Sequence, residues 1–347
     1  MTTTPPSASH AQSGTPAQTE TPAQAVAPAQ AAAPDRDSAA AAPAQAAAGA
    51  TAPAPAAPSP QTPPEASGTA VLPAPDAVHA MPAGTVRIET YGPVAHVVLD
   101  RPDTMNSVTP DVMRDLIAAA LELREDGTVN AVVLRGEGRA FCAGLDMGQF
   151  KRLAEGGAAG TPLDLPTAAK ALAQQSVEMF SHVPVPVIAC LHGPVLGAGF
   201  QYALGADIRV SAPDARLGLM EVVWGIVPDM MGTQLLPRLA GPSKAKHLIF
   251  TCDMISGEKA LEWGVVDEVA AEPLERAHAL AVQIADQSRS SLVAAKKLVD
   301  LSATASLEEG LAAEQEELAK LKGTDEQKAA IAKRMAHLQA RKEKKRG

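Results

Sequence analysis

Residues 192–234 read HGPVLGAGFQYALGADIRVSAPDARLGLMEVVWGIVPDMMGTQ. In this stretch a small-residue turn, Gly197-Ala198-Gly199, follows an apolar strand and opens a short helix, and Gln201 comes two residues later. Two carboxylates, Glu221 and Asp229, then stand in apolar surroundings. Backbone N–H donors at a helix start, close to acids in an apolar pocket, are the groups needed to stabilise an oxyanion and to move protons.

The chain has 347 residues, and its composition changes sharply along its length. Up to about residue 82 it is mostly Ala, Pro, Thr, Ser and Gln, with no aromatic residue. Such a segment cannot bury enough apolar surface to offset the entropy lost on ordering, and its prolines break helices. We therefore predict a disordered Ala/Pro-rich tail over residues 1–83.

Charge and cysteine content narrow the possible partners. The formal net charge of −9 disfavours a nucleic-acid partner, although a basic cluster ends the chain at residues 341–346. The three cysteines show no metal-ligand spacing, and so small and odd a number of cysteines is typical of a reducing compartment. No apolar run approaches the ~20 residues that span a bilayer, so we expect a cytoplasmic protein without membrane insertion.

The rest of the chain alternates strand and helix patterns and then becomes helical. Residues 84–271 carry apolar runs typical of strands, separated by helices such as the amphipathic one that Thr109-Pro110 opens. A second helix is expected over residues 167–181. Residues 272–347 read as helices throughout. The pattern predicts an α/β core followed by a helical C-terminal region.

Two small-residue turns suggest a pair of backbone donors. Gly197-Ala198-Gly199 resembles the start of a dinucleotide-binding unit, but its helix is too short for a full crossover. A tight packing turn without a ligand is another interpretation. The loop Phe141–Asp146 also leads from small residues into a helix. Together the two turns could supply two amides to one carbonyl oxygen, as an oxyanion hole requires.

The acidic residues allow more than one interpretation. Glu221 lies either on a solvated strand face or in a buried site, where desolvation would raise its pKa and suit it to proton transfer. Asp229 is either a proton-transfer group or an N-cap for the helix through Gly232. His192, beside a strand end, is expected to be a packed or surface residue.

Taken together, these motifs resemble the crotonase superfamily, the enoyl-CoA hydratase/isomerase group. The resemblance covers about residues 86–334 and rests on LDRPDTMNSVT (99–109), GRAFCAGLDM (138–147), PVIACLHGPVLGAGFQYALGADIR (186–209), LGLMEVVWGIVPDMMGTQLLPRLAG (217–241) and SGEKALEWGVVDEV (256–269). It implies a spiral of ββα repeats, a helical C-terminal region that builds homotrimers or dimers of trimers, and acyl-CoA thioester substrates of fatty-acid or related breakdown. It implies no metal and no redox cofactor.

The resemblance also assigns roles to residues of this chain. It places the oxyanion hole at the backbone amides of Leu145 and Ala198. Glu221 matches one of the two glutamates with which the hydratases of this family activate water, and Gln201 stands where the other would be. Asp229 stands where dienoyl-CoA isomerases carry a catalytic Asp. Further pocket or substrate-binding positions are Ala143, Gly144, Asp146 and Gly197.

We therefore expect an isomerase that converts a 3,5-dienoyl-CoA to the 2,4-dienoyl-CoA, with Asp229 and Glu221 as catalytic residues. A 2-enoyl-CoA hydratase that relies on Glu221 is the first alternative. A non-catalytic acyl-CoA-binding protein, whose tail recruits partners, is the second.

Overall fold

The computed structural model describes residues 72–157 and 160–344. Residues 1–71, which make up most of the predicted tail, lie outside the described residues. The predicted boundary at residue 83 differs from the structure, because a strand at Ala77–Ala80 pairs antiparallel with Val86–Tyr91. All four residues of that strand are exposed, so it has no alternating apolar pattern by which the sequence could predict it. Backbone pairing with β2 holds it, together with the contact of His79 with Glu122 at 2.8 Å.

The strands of the described residues form two sheets. Their bounds are β1 (Ala77–Ala80), β2 (Val86–Tyr91), β3 (Val94–Leu99), β4 (Ala131–Gly136), β5 (Val187–Leu191), β6 (Pro194–Leu196), β7 (Ile208–Ser211), β8 (Arg216–Gly218), β9 (Ile255–Ser256) and β10 (Glu268–Val269). The larger sheet has the order β1-β2-β3-β4-β5-β7-β10 and is parallel from β3 onward. The smaller sheet has the order β6-β8-β9.

Helices are interspersed with the strands, and four consecutive helices follow β10. Their bounds are α1 (Pro110–Glu125), α2 (Met147–Ala154), α3 (Leu172–Glu178), α4 (Ala198–Leu204), α5 (Gly232–Ala240), α6 (Pro242–Thr251), α7 (Gly257–Glu262), α8 (Pro273–Ala285), α9 (Arg289–Leu301), α10 (Leu307–Leu321) and α11 (Asp325–Lys344). A 3₁₀ turn spans Glu221–Trp224. The repeated strand–strand–helix order and the helical end of the chain agree with the predicted α/β spiral.

The large sheet is covered on both faces. The main core includes Leu116 and Ile117 of α1 together with Val97 and Leu99 of β3. On the other face, alanines of α8 pack against Val133 and Ile188. Parallel strands buried on both faces read as continuous apolar runs, which is the pattern of β4 and β5 in the sequence.

One predicted helix is shorter than the sequence suggested. We expected a helix over residues 167–181, but α3 covers only Leu172–Glu178 and a 3₁₀ turn follows it. Side chains of α3 hold the preceding residues in a loop, because Gln175 accepts from the Leu163 N–H and Glu178 accepts from the N–H groups of Ala168 and Ala169. Hydrogen bonds of this kind compete with a helical backbone.

The C-terminal helices extend from the core. Both α9 and α10 begin with a serine cap, and Ser306 of α10 forms a capping box with Glu309. Glu326 of α11 accepts hydrogen bonds from Ser288 and from the Ser290 N–H, which ties α11 to the start of α9. Among the described helices, none is both long and apolar enough to span a membrane.

Candidate active site

The two small-residue turns lie against each other. The Cys142 N–H donates to the Pro194 carbonyl at 3.1 Å, and the Leu196 N–H donates to the Cys142 carbonyl at 3.0 Å. Glycine permits this approach, because a Cβ at Gly144 would lie 2.9 Å from the Leu196 oxygen and a Cβ at Gly199 would lie 2.4 Å from the Cys142 oxygen. The loop after Phe141 and the start of α4 therefore form one unit.

Two backbone N–H groups of this unit are left without an acceptor. Among the described residues, no hydrogen-bond acceptor is found for the N–H of Leu145 or for that of Ala198, the first residue of α4. The first N–H groups of a helix have no partner within the helix. Both residues line the same cavity, so their two N–H groups are candidate donors for one ligand oxygen.

The cavity has a volume of about 690 Å³ and mostly apolar walls. It brings together six of the predicted positions, Ala143, Gly144, Leu145, Gly197, Ala198 and Gln201, with Glu221 and Asp229. Among the described residues that line it, Glu221 and Asp229 alone carry ionisable side chains. An apolar cavity with a few convergent polar groups is the usual form of a small-molecule site.

Glu221 is buried, which settles the choice between a solvated and an enclosed position. Its exposed fraction is 7%, and its Oε1 accepts a 2.7 Å hydrogen bond from Gln201 Nε2. Its Oε2 is buried and has no partner in the described part of the chain. The pKa of Glu221 is raised to about 7, mainly by burial and to a smaller extent by the nearby charge of Asp229, while hydrogen bonds from the backbone and from Gln201 oppose the rise. The group can therefore give or take a proton near neutral pH.

Asp229 is not the helix cap that its sequence position allowed. The N-cap of α5 is Met231, with a φ of 70°, and it makes no side-chain capping bond. Asp229 itself is exposed to solvent at the cavity wall. Partial desolvation raises its pKa, and its own backbone N–H opposes the rise. The two acids thus differ, one enclosed and one open to solvent.

One predicted pocket position, Asp146, lies outside the cavity lining, and so does His192, which was not expected to take part in catalysis. Asp146 caps α2 by accepting from the Gly148 N–H at 3.0 Å, and it also accepts from the Ser107 hydroxyl at 2.9 Å. The structure therefore uses Asp146 to hold the loop that carries Leu145. His192 contacts the Gly138 carbonyl at 2.9 Å, as expected of a packed residue.

Sequence reasoning missed the apolar residues of the cavity. Phe150 of α2 and Trp224 of the 3₁₀ turn stack across it, and Met113 and Met230 also line it. A signal was present in α2, since Met147, Phe150 and Leu153 recur every three residues and all three face the cavity. Such a stripe ordinarily indicates a helix face that packs against the core, so the sequence alone could not show that this face lines a ligand cavity instead.

The fold and site together define an α/β protein of the crotonase type. Residues 89–345 match the family model described as enoyl-CoA hydratase/isomerase, and the chain belongs to this family. It is 31% identical over 256 residues to a short-chain-enoyl-CoA hydratase of Clostridium acetobutylicum, covering 72% of this chain and 94% of that protein. It is 30% identical over 229 residues to an enoyl-CoA isomerase/hydratase of Mycosarcoma maydis, covering 63% and 81%.

Solved structures similar to this chain also belong to the enoyl-CoA hydratase/isomerase group. A crystal structure of a putative enoyl-CoA hydratase/isomerase from Mycobacterium abscessus matches with a TM-score of 0.65 and 28% identity, covering 73% of this chain and 96% of that one. The similar curated proteins are mostly named as hydratases. These comparisons establish family membership and the fold, and they leave hydration and isomerisation as the activities to be distinguished.

Proposed function

We propose that this enzyme is an acyl-CoA double-bond isomerase that converts a 3,5-dienoyl-CoA to the 2,4-dienoyl-CoA through a thioester enolate. The observation that carries the proposal is the side chain in contact with Glu221. That side chain is the neutral amide of Gln201, whose Nε2 lies 2.7 Å from Glu221 Oε1. The second acid of the cavity is Asp229, which lies on a different segment of the chain. Because Glu221 and Asp229 lie on different segments, one of them can remove a proton from one carbon while the other returns a proton to a different carbon.

The proposed reaction removes one proton from C2, adds a different one at C6 and shifts two double bonds. Asp229 removes a proton from C2, and the electron pair of that C–H bond moves to the thioester oxygen, which becomes an enolate. The N–H groups of Leu145 and Ala198 donate to that oxygen. Protonated Glu221 then gives its proton to C6, so that double bonds at C3 and C5 become double bonds at C2 and C4. Asp229 then gives its proton to solvent and Glu221 takes one up, which restores the starting state. The pKa of about 7 allows Glu221 to carry that proton near neutral pH.

A 2-enoyl-CoA hydratase is the second candidate, and the names of the similar proteins favour it. Hydration needs a group to deprotonate water and a group to protonate C2. With an amide beside it, Glu221 would have to perform both transfers. This is the physical reason for placing hydration second.

A substrate panel distinguishes the candidates. Wild-type enzyme should turn over a 3,5-dienoyl-CoA faster than it hydrates crotonyl-CoA, and in deuterium oxide the product should carry deuterium at C6. Asp229→Asn should remove the isomerisation, whereas the exposed control Asp214→Asn should keep it. Faster crotonyl-CoA hydration that survives Asp229→Asn would establish the hydratase. No turnover of any thioester, with tight binding retained, would establish a binding protein.

We also propose that the chain assembles as a homotrimer or a dimer of trimers through its C-terminal helices. The support is exposed apolar surface on these helices, with Val299 70%, Leu307 79% and Leu311 51% exposed. Isolated domains seldom present such residues together. Light scattering should give a mass of three or six chains, and Leu311→Asp should lower it, whereas the control Glu314→Ala should leave it unchanged.

A further inference from the structure

Gln201 makes three hydrogen bonds from one buried carboxamide. The residue is 1% exposed, on α4. Its Nε2 donates to Glu221 Oε1 at 2.7 Å, and its Oε1 accepts from the N–H groups of Met230 at 2.8 Å and Gly232 at 2.9 Å. The orientation of the amide follows from its partners, because a flipped amide would point its NH₂ group at two N–H donors.

From this geometry we propose that Gln201 is a positioning residue, which ties the Glu221 segment to the Asp229 segment and makes Glu221 Oε2 the atom that exchanges the proton. The proposal rests on the function proposed above, in which Glu221 and Asp229 are the proton-transfer groups. Gln201 acts through both acids and transfers no proton itself.

The assignment of Oε2 follows from the partners of the two carboxyl oxygens. Oε1 of Glu221 already accepts the Gln201 hydrogen bond. Oε2 is buried, and no partner for it is found in the described residues. A buried acceptor without a partner is costly, so such atoms usually have a role that a missing ligand or proton completes. A proton on Oε2 would satisfy this atom and leave the Gln201 contact unchanged.

The segment that carries Asp229 is shaped around the same carboxamide. A Cβ at Gly232 would lie 2.8 Å from Gln201 Oε1 and 2.9 Å from Gln201 Cγ. The preceding residue, Met231, takes a left-handed φ of 70°, which turns the N–H groups of Met230 and Gly232 toward Gln201. The chain between Asp229 and α5 is thus fitted to a glutamine at position 201.

Hydrogen-bond direction explains why an amide suits this position. The group must donate toward Glu221 and accept from two backbone N–H groups, and a carboxamide does both at once. A carboxylate at position 201 could accept from the loop but could not donate to ionised Glu221. The two carboxyl groups would then have to share a proton, as closely spaced carboxyl groups do.

The test compares Gln201→Met and Gln201→Glu with Gln175→Met. Gln175 is a matched control, since it is a buried glutamine that donates to and accepts from the backbone of Leu163, outside the cavity lining. The first readout is the titration midpoint of the Glu221 carboxyl in the resting enzyme. It is measured by NMR with glutamate labelled with carbon-13 at the carboxyl and assigned with Glu221→Gln. This readout needs no turnover, so it remains decisive if the proposed reaction is wrong.

Gln201→Met should raise the midpoint, because Glu221 loses a donor that stabilises its charged form. Gln201→Glu should split the titration into two steps. On the preferred thioester, Gln201→Met should lower kcat by about tenfold or more with a smaller change in KM, since misplaced proton-transfer groups are costly in rate. Gln175→Met should lower stability and leave the midpoint unchanged.

An unchanged midpoint and an unchanged pH profile in folded Gln201→Met would overturn the proposal. If Gln201→Met does not fold, the near-isosteric Gln201→Glu decides, and a one-step titration at the wild-type midpoint would count against it. If Gln201→Met shifts the titration midpoint of Glu221 but the wild-type enzyme isomerises no dienoyl-CoA, the positioning role of Gln201 stands and the proposed reaction is wrong.

Discussion

The ring of Phe150 stacks on the ring of Trp224, with the ring centroids 4.3 Å apart and the planes inclined by 26°. Phe150 lies on α2, and Trp224 ends the 3₁₀ turn that begins at Glu221. None of the residues of α2 is buried, so few contacts hold this helix against the cavity. The stack therefore joins a loosely packed helix to the turn that carries Glu221.

Removal of this stack should change the preference for acyl-chain length. An aromatic pair of this kind contributes about 0.5–1.5 kcal/mol beyond its buried area, and Trp224→Leu gives up that contribution and opens the cavity wall. We expect the ratio of kcat/KM for long over short acyl chains to rise about three- to tenfold. Rates over a series of acyl-CoA chain lengths measure this ratio. Trp263→Leu is the control, because Trp263 contacts His247 away from the cavity. An equal change in kcat/KM for every chain length would show that the Phe150–Trp224 stack does not set the preference for acyl-chain length.

The Gln201–Glu221 contact illustrates how much the sequence could predict. The turn at Gly197 and the start of α4 are local features, which the sequence predicts from the positions of its glycines and from the residues that begin helices. The 2.7 Å contact joins residues 20 positions apart, and the Phe150–Trp224 stack joins two segments that are farther apart still. Neither has a local signal, because each depends on strand pairing between distant parts of the chain. Family resemblance placed Leu145 and Ala198 together, and it did not show that Asp146 is used as a cap.

The dependence of activity on pH should separate isomerisation from hydration. Isomerisation as proposed begins with Asp229 ionised and Glu221 protonated. Because the pKa of Glu221 is raised to about 7, kcat/KM should fall as pH rises above that value. It should also fall at low pH as Asp229, whose pKa is raised, becomes protonated. Hydration would need ionised Glu221 to deprotonate water, so its kcat/KM should rise through pH 7.

The measurement is kcat/KM for a 3,5-dienoyl-CoA and for crotonyl-CoA between about pH 5 and about pH 9. Glu262→Gln, at an exposed position outside the cavity lining, is the control and should keep the wild-type profile. Rising dienoyl-CoA activity through pH 7 would contradict the assignment of Glu221 as the acid.

Glu221→Gln should stabilise the protein at alkaline pH. The folded-state pKa of about 7 lies above the ordinary value of 4.5, so between these values the folded state binds more protons than the unfolded state. The unfolding free energy therefore decreases as pH rises through this interval, and the cost of ionised Glu221 is complete above pH 7. Glutamine removes that cost and can still accept from Gln201.

The expected gain in unfolding free energy is at most about 3 kcal/mol at pH 8, declining toward zero near pH 4. Urea denaturation of the two proteins at both pH values measures it. A gain of equal size at both pH values would mean that ionisation of Glu221 is not its source.

Gly144→Ala should impair the proposed oxyanion hole without replacing Glu221 or Asp229. The φ of Gly144 is +100°, and a Cβ there would lie 2.9 Å from the Leu196 carbonyl oxygen. The loop that carries Leu145 would have to move away from the start of α4, which separates the N–H groups of Leu145 and Ala198. Loss of one oxyanion donor typically costs about 10²- to 10³-fold in kcat, so we expect a decrease of about that size with little change in KM.

Gly92→Ala is the matched control, since Gly92 also has a positive φ, of +56°, but a Cβ there meets no atom within 4 Å. Steady-state kinetics on the preferred thioester should therefore show wild-type kcat for Gly92→Ala, and equal losses in the two variants would assign the effect to backbone strain alone.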